Sequence, residues 1–501
     1  MMPIQRQSHL GRTPGGQLCL QKPQRARAAE SVEPYYISVL PDELLFEILS
    51  YIPPKRHRHE LVKDEERFPL TLVCKKWRRI YEPVLFRTIM THYYSRTIIL
   101  SRMRGLLDLL YTRPHLRGYP RNICIPISRT VAHAAVCRIL TAVIKCCTGL
   151  REVSFQSEYT PDISELLSAI STLPRLEHLD LGAPSLQLFF RDFTLPSLKS
   201  LCLSRYGPGR NPEDSSVPWP IEPISITQPS LEHLLPPNRY HTGNVTKMLL
   251  RDPSCLPNVT EHIVRWPSAL TDLSILLTHS TGGGYYTTEA IQRILDIHRS
   301  SLKRVTIGML SGGSIGHTRS PDFSSFLHLE ELGMSAYDLT HSETATDAAR
   351  KLSAPNLRCV TLRFSAEDQH SENRSAFGKE QLTWIQEFAK MRKEKYPVSK
   401  LEKMVVLFDP KENPYHLRSL LRGHPEQVSV SDIVESLTWP WEYLEKAKQC
   451  AAELELRIEF KAGWTREEWD RVVRDEKVEM PDVLEDLQPG LDRLFLRGKA
   501  E

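Results

Sequence analysis

The sequence contains no Cys-x-x-Cys pair and no Cys/His cluster at zinc-module spacing, although it has ten cysteines. They are scattered at 19, 74, 124, 137, 146, 147, 202, 255, 359 and 450. That distribution fits reduced thiols in the cytosol or nucleus better than a disulfide framework. No run of about 18 apolar residues occurs, so no membrane span is expected, and the first residues lack a secretory apolar segment. An excess of charge is missing too. The 65 Lys and Arg against 61 Asp and Glu leave a net charge of +4, which does not match the clustered basic surface of a dedicated nucleic-acid binder. Neither Gly282-Gly283-Gly284 nor Gly312-Gly313-Ser314 continues into the Gly-Lys-Ser/Thr of a phosphate loop. The one tight histidine pair, His57-Arg58-His59, has no carboxylate or cysteine to complete a ligand set. No metal or cofactor is expected.

What is present begins at Leu40-Pro41-Asp42-Glu43-Leu44-Leu45-Phe46-Glu47-Ile48-Leu49-Ser50-Tyr51-Ile52. Leu44, Leu45, Ile48, Leu49 and Ile52 fall on one face of a helix. Pro41 suits the first helical position, Asp42 and Glu43 favour the positive end of the helix dipole, and Pro53-Pro54 end the helix. Downstream lies Leu70-Thr71-Leu72-Val73-Cys74-Lys75-Lys76-Trp77-Arg78-Arg79-Ile80. Leu-Pro-x-Glu-Leu-Leu followed by Leu-Val-Cys-Lys-x-Trp-Arg resembles the F-box, over residues 38–89. The resemblance implies a helical module that docks on a Skp-type adaptor and, through it, a cullin. It also implies that Leu40, Pro41, Leu44, Leu45, Ile48, Leu49, Val73 and Trp77 carry that docking. The link Pro53 to Phe68 is longer and more charged than in a compact F-box and reads as a solvated insertion.

From residue 150 the pattern Leu-x-x-Leu-x-Leu, with other apolar residues allowed, recurs from first positions Leu150, Leu176, Leu198, Leu270, Leu302, Leu329, Leu357 and Leu401, with a weaker copy at Leu231. Successive first positions are separated by between 22 residues (176 to 198) and 44 (357 to 401). The array resembles an irregular leucine-rich repeat, whose units need neighbours because one strand cannot bury its own apolar face. An ordinary α/β sheet also repeats strand then helix and is the competing architecture. The expected fold is α/β: an F-box-like helical module, then a leucine-rich repeat solenoid with a curved parallel sheet and helices outside. The expected division is a disordered tail (1–33), the module (34–92), a helical linker (93–148), the array (149–410), a C-terminal cap (411–487) and a frayed tail (488–501).

Side chains alternate along a strand, so the fourth and sixth positions of the pattern point into the core and the third and fifth onto the opposite, concave face. That places Glu152, His178, Asp180, Ser200, Asp272, Arg304, Glu331, Thr361 and Lys403 on one surface. Its mixed charge suits recognition of a protein through many small contacts. The expectation is a non-catalytic subunit of a ubiquitin ligase that holds a protein target for ubiquitination. The alternative is an interaction scaffold that binds the adaptor without directing ubiquitin transfer.

Overall fold

The computed structural model describes residues 40–50, 74–90, 96–127, 133–157, 164–182, 195–204, 235–251, 253, 255–277, 286–308, 310, 319–340, 343–365, 378–409 and 441–462. The tails expected at 1–33 and 488–501, the insertion Pro53 to Phe68 and the weaker repeat at Leu231 lie outside these residues.

Two helices open the chain. α1 (Asp42–Ser50) starts with the Leu45 N–H donating to the Pro41 carbonyl at 3.1 Å. α2 (Lys75–Leu85) carries Trp77, Ile80 and Tyr81 on one face, as the three- and four-residue spacing requires. These three and Leu45 form a small core of their own, with Leu40 packed beside it. Trp77 and Tyr81 stack with ring centroids 5.4 Å apart and planes 7° from parallel. Asp42 links the helices by charge: Arg79 donates to its carboxylate at 2.7 Å and the Lys76 ammonium lies 3.6 Å away.

α2 leads through Phe86 straight into a sheet that has twelve strands among the described residues, all parallel and paired in chain order. They are β1 (Thr88–Met90), β2 (Asn122–Ile127), β3 (Glu152–Ser157), β4 (His178–Gly182), β5 (Ser200–Ser204), β6 (Lys247–Arg251), β7 (Asp272–Leu276), β8 (Arg304–Ile307), β9 (Glu331–Ser335), β10 (Cys359–Ser365), β11 (Lys403–Asp409) and β12 (Arg457–Ala462). The described helices between them are α3 (Arg96–Thr112), α4 (His133–Cys146), α5 (Ser164–Ser171), α6 (Pro257–Val264), α7 (Thr288–Asp296), α8 (Ala336–Thr340), α9 (Ala345–Lys351), α10 (Lys379–Lys395) and α11 (Trp441–Glu453). A 3-10 turn, Pro114–Gly118, follows α3. Strict sequential order with parallel pairing is the solenoid arrangement, and it decides against the competing α/β sheet, in which crossovers reorder the strands.

One backbone motif sets the register. At strand entry a single carbonyl accepts two consecutive N–H groups from the next repeat. Arg121 serves Arg151 and Glu152, Arg151 serves Glu177 and His178, and Glu177 serves Lys199 and Ser200. The pattern continues to Arg358, which serves Glu402 and Lys403, with distances between 2.7 and 3.2 Å. Side chains reinforce the same edge. Ser197 donates to the Pro174 carbonyl at 2.8 Å, Asn244 to Pro196 at 2.8 Å and Asn356 to Leu327 at 2.7 Å.

The repeat leucines form the core. Every first position from Leu150 to Leu401, the weaker copy aside, is buried, as are the fourth and sixth, such as Val153 and Phe155, Leu273 and Ile275, Met404 and Val406. One continuous apolar cluster runs from Ile89 to Ile458. The ladder therefore starts before residue 149, with β1 and β2, and continues past 410, where β12 adds a further parallel strand to β11. β6 belongs to Val245-Thr246-Lys247-Met248-Leu249-Leu250, a copy of the pattern without a single leucine at its first or fourth position.

Buried charge sits between α9 and α10. The Lys351 ammonium pairs with the Glu343 carboxylate and donates to the Ser320 carbonyl at 2.7 Å. Glu343 also accepts the Ser320 N–H at 3.0 Å, and its carbonyl accepts the Trp384 indole N–H at 3.0 Å.

Candidate functional site

The strand register brings the expected concave residues together. Glu152, His178, Ser200, Asp272, Arg304, Glu331 and Lys403 fall in one row across neighbouring strands, and Asp180 and Thr361 fall in the next row of the same face. β6 inserts Lys247 and Leu249 into these rows, and β12 adds Arg457 and Glu459. Spacing analysis missed all four. The signal for β6 was available in Val245, Met248 and Leu250, which keep the apolar phase without leucine.

The rows are partly neutralised from within. Arg304 donates to the Asp272 carboxylate. Glu459 takes Lys403 at 2.6 Å and Arg457 at 3.2 Å. In the second row Ser154 donates to Asp180 at 3.0 Å. Burial pushes the Cys202 thiol up to about 12, with the Asp180 charge adding to the shift. Cys124 and Cys359 are raised as well, again chiefly by burial. These thiols stay protonated near neutral pH and are weak nucleophiles. Among the described residues, no group of three or more His, Cys, Asp and Glu is placed to hold a metal ion, and no helix is long and apolar enough to cross a membrane.

Gly312-Gly313-Ser314-Ile315-Gly316 matches the letters of a Gly-x-Ser-x-Gly nucleophile elbow, a turn that leads from a strand directly into a helix. It lies outside the described residues. The next described stretch, 319–330, contains no helix before β9 begins.

At the other end of the chain, residues 37–92 match the F-box-like family model. The chain carries an F-box-like domain. No curated protein matches the sequence. Among solved structures, the chain is similar to the leucine-rich repeat-containing protein LegL7 from Legionella pneumophila, at 10% identity and a TM-score of 0.35, over 79% of this chain and 98% of that one. It is also similar to a chain of the yeast Rad7 and Elc1 complex, at 12% identity and a TM-score of 0.30, over 70% of this chain and 93% of that one. At these scores the likenesses add nothing to the solenoid that the strand register already shows.

Within the F-box-like domain the eight expected docking residues divide. Pro41 is exposed and Leu44 is 44% exposed, so both offer surface. Leu45 is 1% exposed and Trp77 6%. Both belong to the small core shared by α1 and α2. Leu40 is partly buried against the same core. Ile48 and Leu49 belong to α1, with side chains outside the described set, and Val73 lies outside the described residues.

Proposed function

We propose that the chain is a substrate-recognition adaptor of a Skp-cullin-F-box ubiquitin ligase. The F-box-like domain docks on a Skp-type adaptor, and the solenoid's concave face holds a protein target. The protein acts by proximity: it keeps the target near a ubiquitin-charged conjugating enzyme bound elsewhere in the assembly, and contributes no catalytic group. A complex of this kind works in the cytosol or nucleus. The observation that carries the reading is the direct passage of α2 through Phe86 into β1, with Phe86 packed on the solenoid core and Glu82 of α2 3.5 Å from His115. One continuous body thus joins the family-matched region to a long polar sheet face.

The burial pattern selects the variants for a test. Leu44→Arg with Pro41→Ala changes exposed surface, so folding should be retained while co-purification with the Skp-type adaptor is lost. Trp77→Ala removes a stacked core ring and should unfold the domain, at a cost of about 3–5 kcal/mol. Co-purification of the Leu44→Arg, Pro41→Ala form at wild-type yield overturns the docking assignment. A reconstituted ligase that binds a captured partner yet leaves it unmodified favours the scaffold instead.

A further inference from the structure

The strand-entry edge of the sheet carries a line of residues joined rung to rung by the backbone. The Arg121 N–H donates to the Arg87 carbonyl, Arg151 to Arg121, Glu177 to Arg151 and Lys199 to Glu177, at 2.7 or 2.8 Å. Arg175 stands on the same edge, two residues before Glu177. Five cations thus share the entry to β1 through β5 with one carboxylate. Counting Glu152 as well, which faces the concave side one residue beyond Arg151, still leaves an excess of three positive charges. The line continues through Thr246, Thr271, Lys303, Glu330, Arg358 and Glu402. There the charges cancel, two against two, and Lys303 lies 3.9 Å from Glu330. The excess is confined to the end of the ridge that adjoins the F-box-like domain.

This positive end is accessible and partly pre-formed. Arg87, Arg151, Arg175 and Lys199 are exposed, and neither Arg87 nor Arg175 makes an ion pair among the described residues. Arg121 is half-buried, and its Nη1 donates to the Gly149 carbonyl at 2.9 Å. Glycine at 149 leaves that guanidinium its place, since a Cβ there would stand 2.5 Å from Nη1. A guanidinium held at one terminal nitrogen offers Nε and the other as a fork for carboxylates. Between the entries to β3 and β6 the edge dips into a groove of about 420 Å³, lined by Arg151, Arg175, Glu177 and Lys199. Its wall is fixed by the Ser197 and Asn244 side chains, which donate to the Pro174 and Pro196 carbonyls. Glu177 shows how a carboxylate sits here: it lies 4.0 Å from Arg151 on one side and 3.5 Å from Lys199 on the other.

We propose that the strand-entry ridge of β1 through β5 binds an acidic, extended segment of a partner protein, with Arg87, Arg121, Arg151, Arg175 and Lys199 taking its carboxylates. Four rung spacings of about 4.8 Å set the ends of the line roughly 19 Å apart, a reach of about six extended residues. Complementary charge of this kind speeds encounter and fixes register. An acidic peptide fits better than a single-stranded nucleic acid, whose bases need aromatic side chains to stack on. No aromatic residue belongs to the line or lines the groove. None of the five cations belongs to the docking helices or the concave rows, so binding here does not depend on the adaptor reading.

Fluorescence anisotropy of the full chain with labelled octaglutamate, octaglutamine and an oligothymidylate of equal charge, at physiological ionic strength, tests it. Saturable binding is expected, tightest for octaglutamate. Arg151→Glu with Arg175→Glu, both at exposed positions, should weaken it by about tenfold or more. Lys303→Glu with Arg358→Glu changes the net charge equally but lies beyond the positive end, and should leave it unchanged. Glu177→Gln should tighten it by freeing Arg151 and Lys199 for the ligand, a gain that a merely structural role does not produce. The inference is overturned if octaglutamate binds no better than octaglutamine, if the oligothymidylate binds more tightly, if the Arg151→Glu, Arg175→Glu form binds as the wild type does, or if the two double variants weaken binding equally.

Discussion

His298 shows what a single buried side chain does here. It is 3% exposed, with Nε2 2.7 Å from the Val264 carbonyl and Nδ1 facing the Leu270 N–H at 3.5 Å. One neutral tautomer satisfies both partners: Nε2 donates and Nδ1 accepts. Burial lowers its pKa, against a partial opposing pull from the Val264 carbonyl. The folded state therefore binds a proton less readily than the unfolded chain, whose histidine titrates near ~6.5. The stability this contributes is complete above that value and falls as the pH drops below it. The urea midpoint should decline between about pH 7 and pH 5, and His298→Gln, though less stable at neutral pH, should show a shallower decline. Equal slopes for the two proteins would remove His298 as the cause. Nothing in the local sequence marks this histidine, because its partners come from α6 and from the entry to β7. The same limit holds for Leu44 and Leu45, which differ in burial though both lie on the predicted apolar face. Their letters locate a helical module, but which of two adjacent leucines faces inward is decided by where the second helix lies.

For the individual repeat, sequence and structure agree most closely. A strand with alternating side chains and a leucine before it needs no distant information, so β3, β4, β5 and β7 to β11 are readable from spacing alone. β6 was missed because valine and methionine occupy its first and fourth positions, and a template built on leucine underweights them. Between strands, sequence says less, since a connection can be helix or loop provided that it covers the apolar face. The connection between β9 and β10 illustrates this. It is tied by the Lys351–Glu343 pair, whose members sit eight residues apart and are joined by the Ser320 backbone from another segment. Lys351→Met leaves the Glu343 carboxylate buried without its cation and should cost about 3–5 kcal/mol, whereas Lys351→Met with Glu343→Leu should recover most of it. Chemical denaturation of the three proteins checks this: a double variant as unstable as the single one would show that packing, not charge, is lost.

Across the whole chain, the solenoid has one core and two ends. Each repeat is stabilised by its neighbours, so damage should spread from an end rather than strike everywhere at once. Removing residues 441–501 deletes α11 and β12 and uncovers both the β11 edge and the α10 surface. An uncovered strand edge pairs readily with other chains. The truncated protein should therefore self-associate on size exclusion and unfold at lower urea, and a monomeric, fully stable product would contradict the expectation. The register was legible because the repeat is periodic. The two ends were not, since the terminal strands β1, β2 and β12 depart from the leucine template while still joining the ladder. β1 carries a consequence of its own. Its three residues lie inside the family-matched stretch 37–92 and also pair with β2. The first strand of the sheet is thus inherited with the F-box-like domain. A lineage that exchanged solenoids by cutting after residue 92 would bring a foreign second rung against a native first one. New side chains on this sheet face are then more readily reached by substitution along the rows than by wholesale transplant.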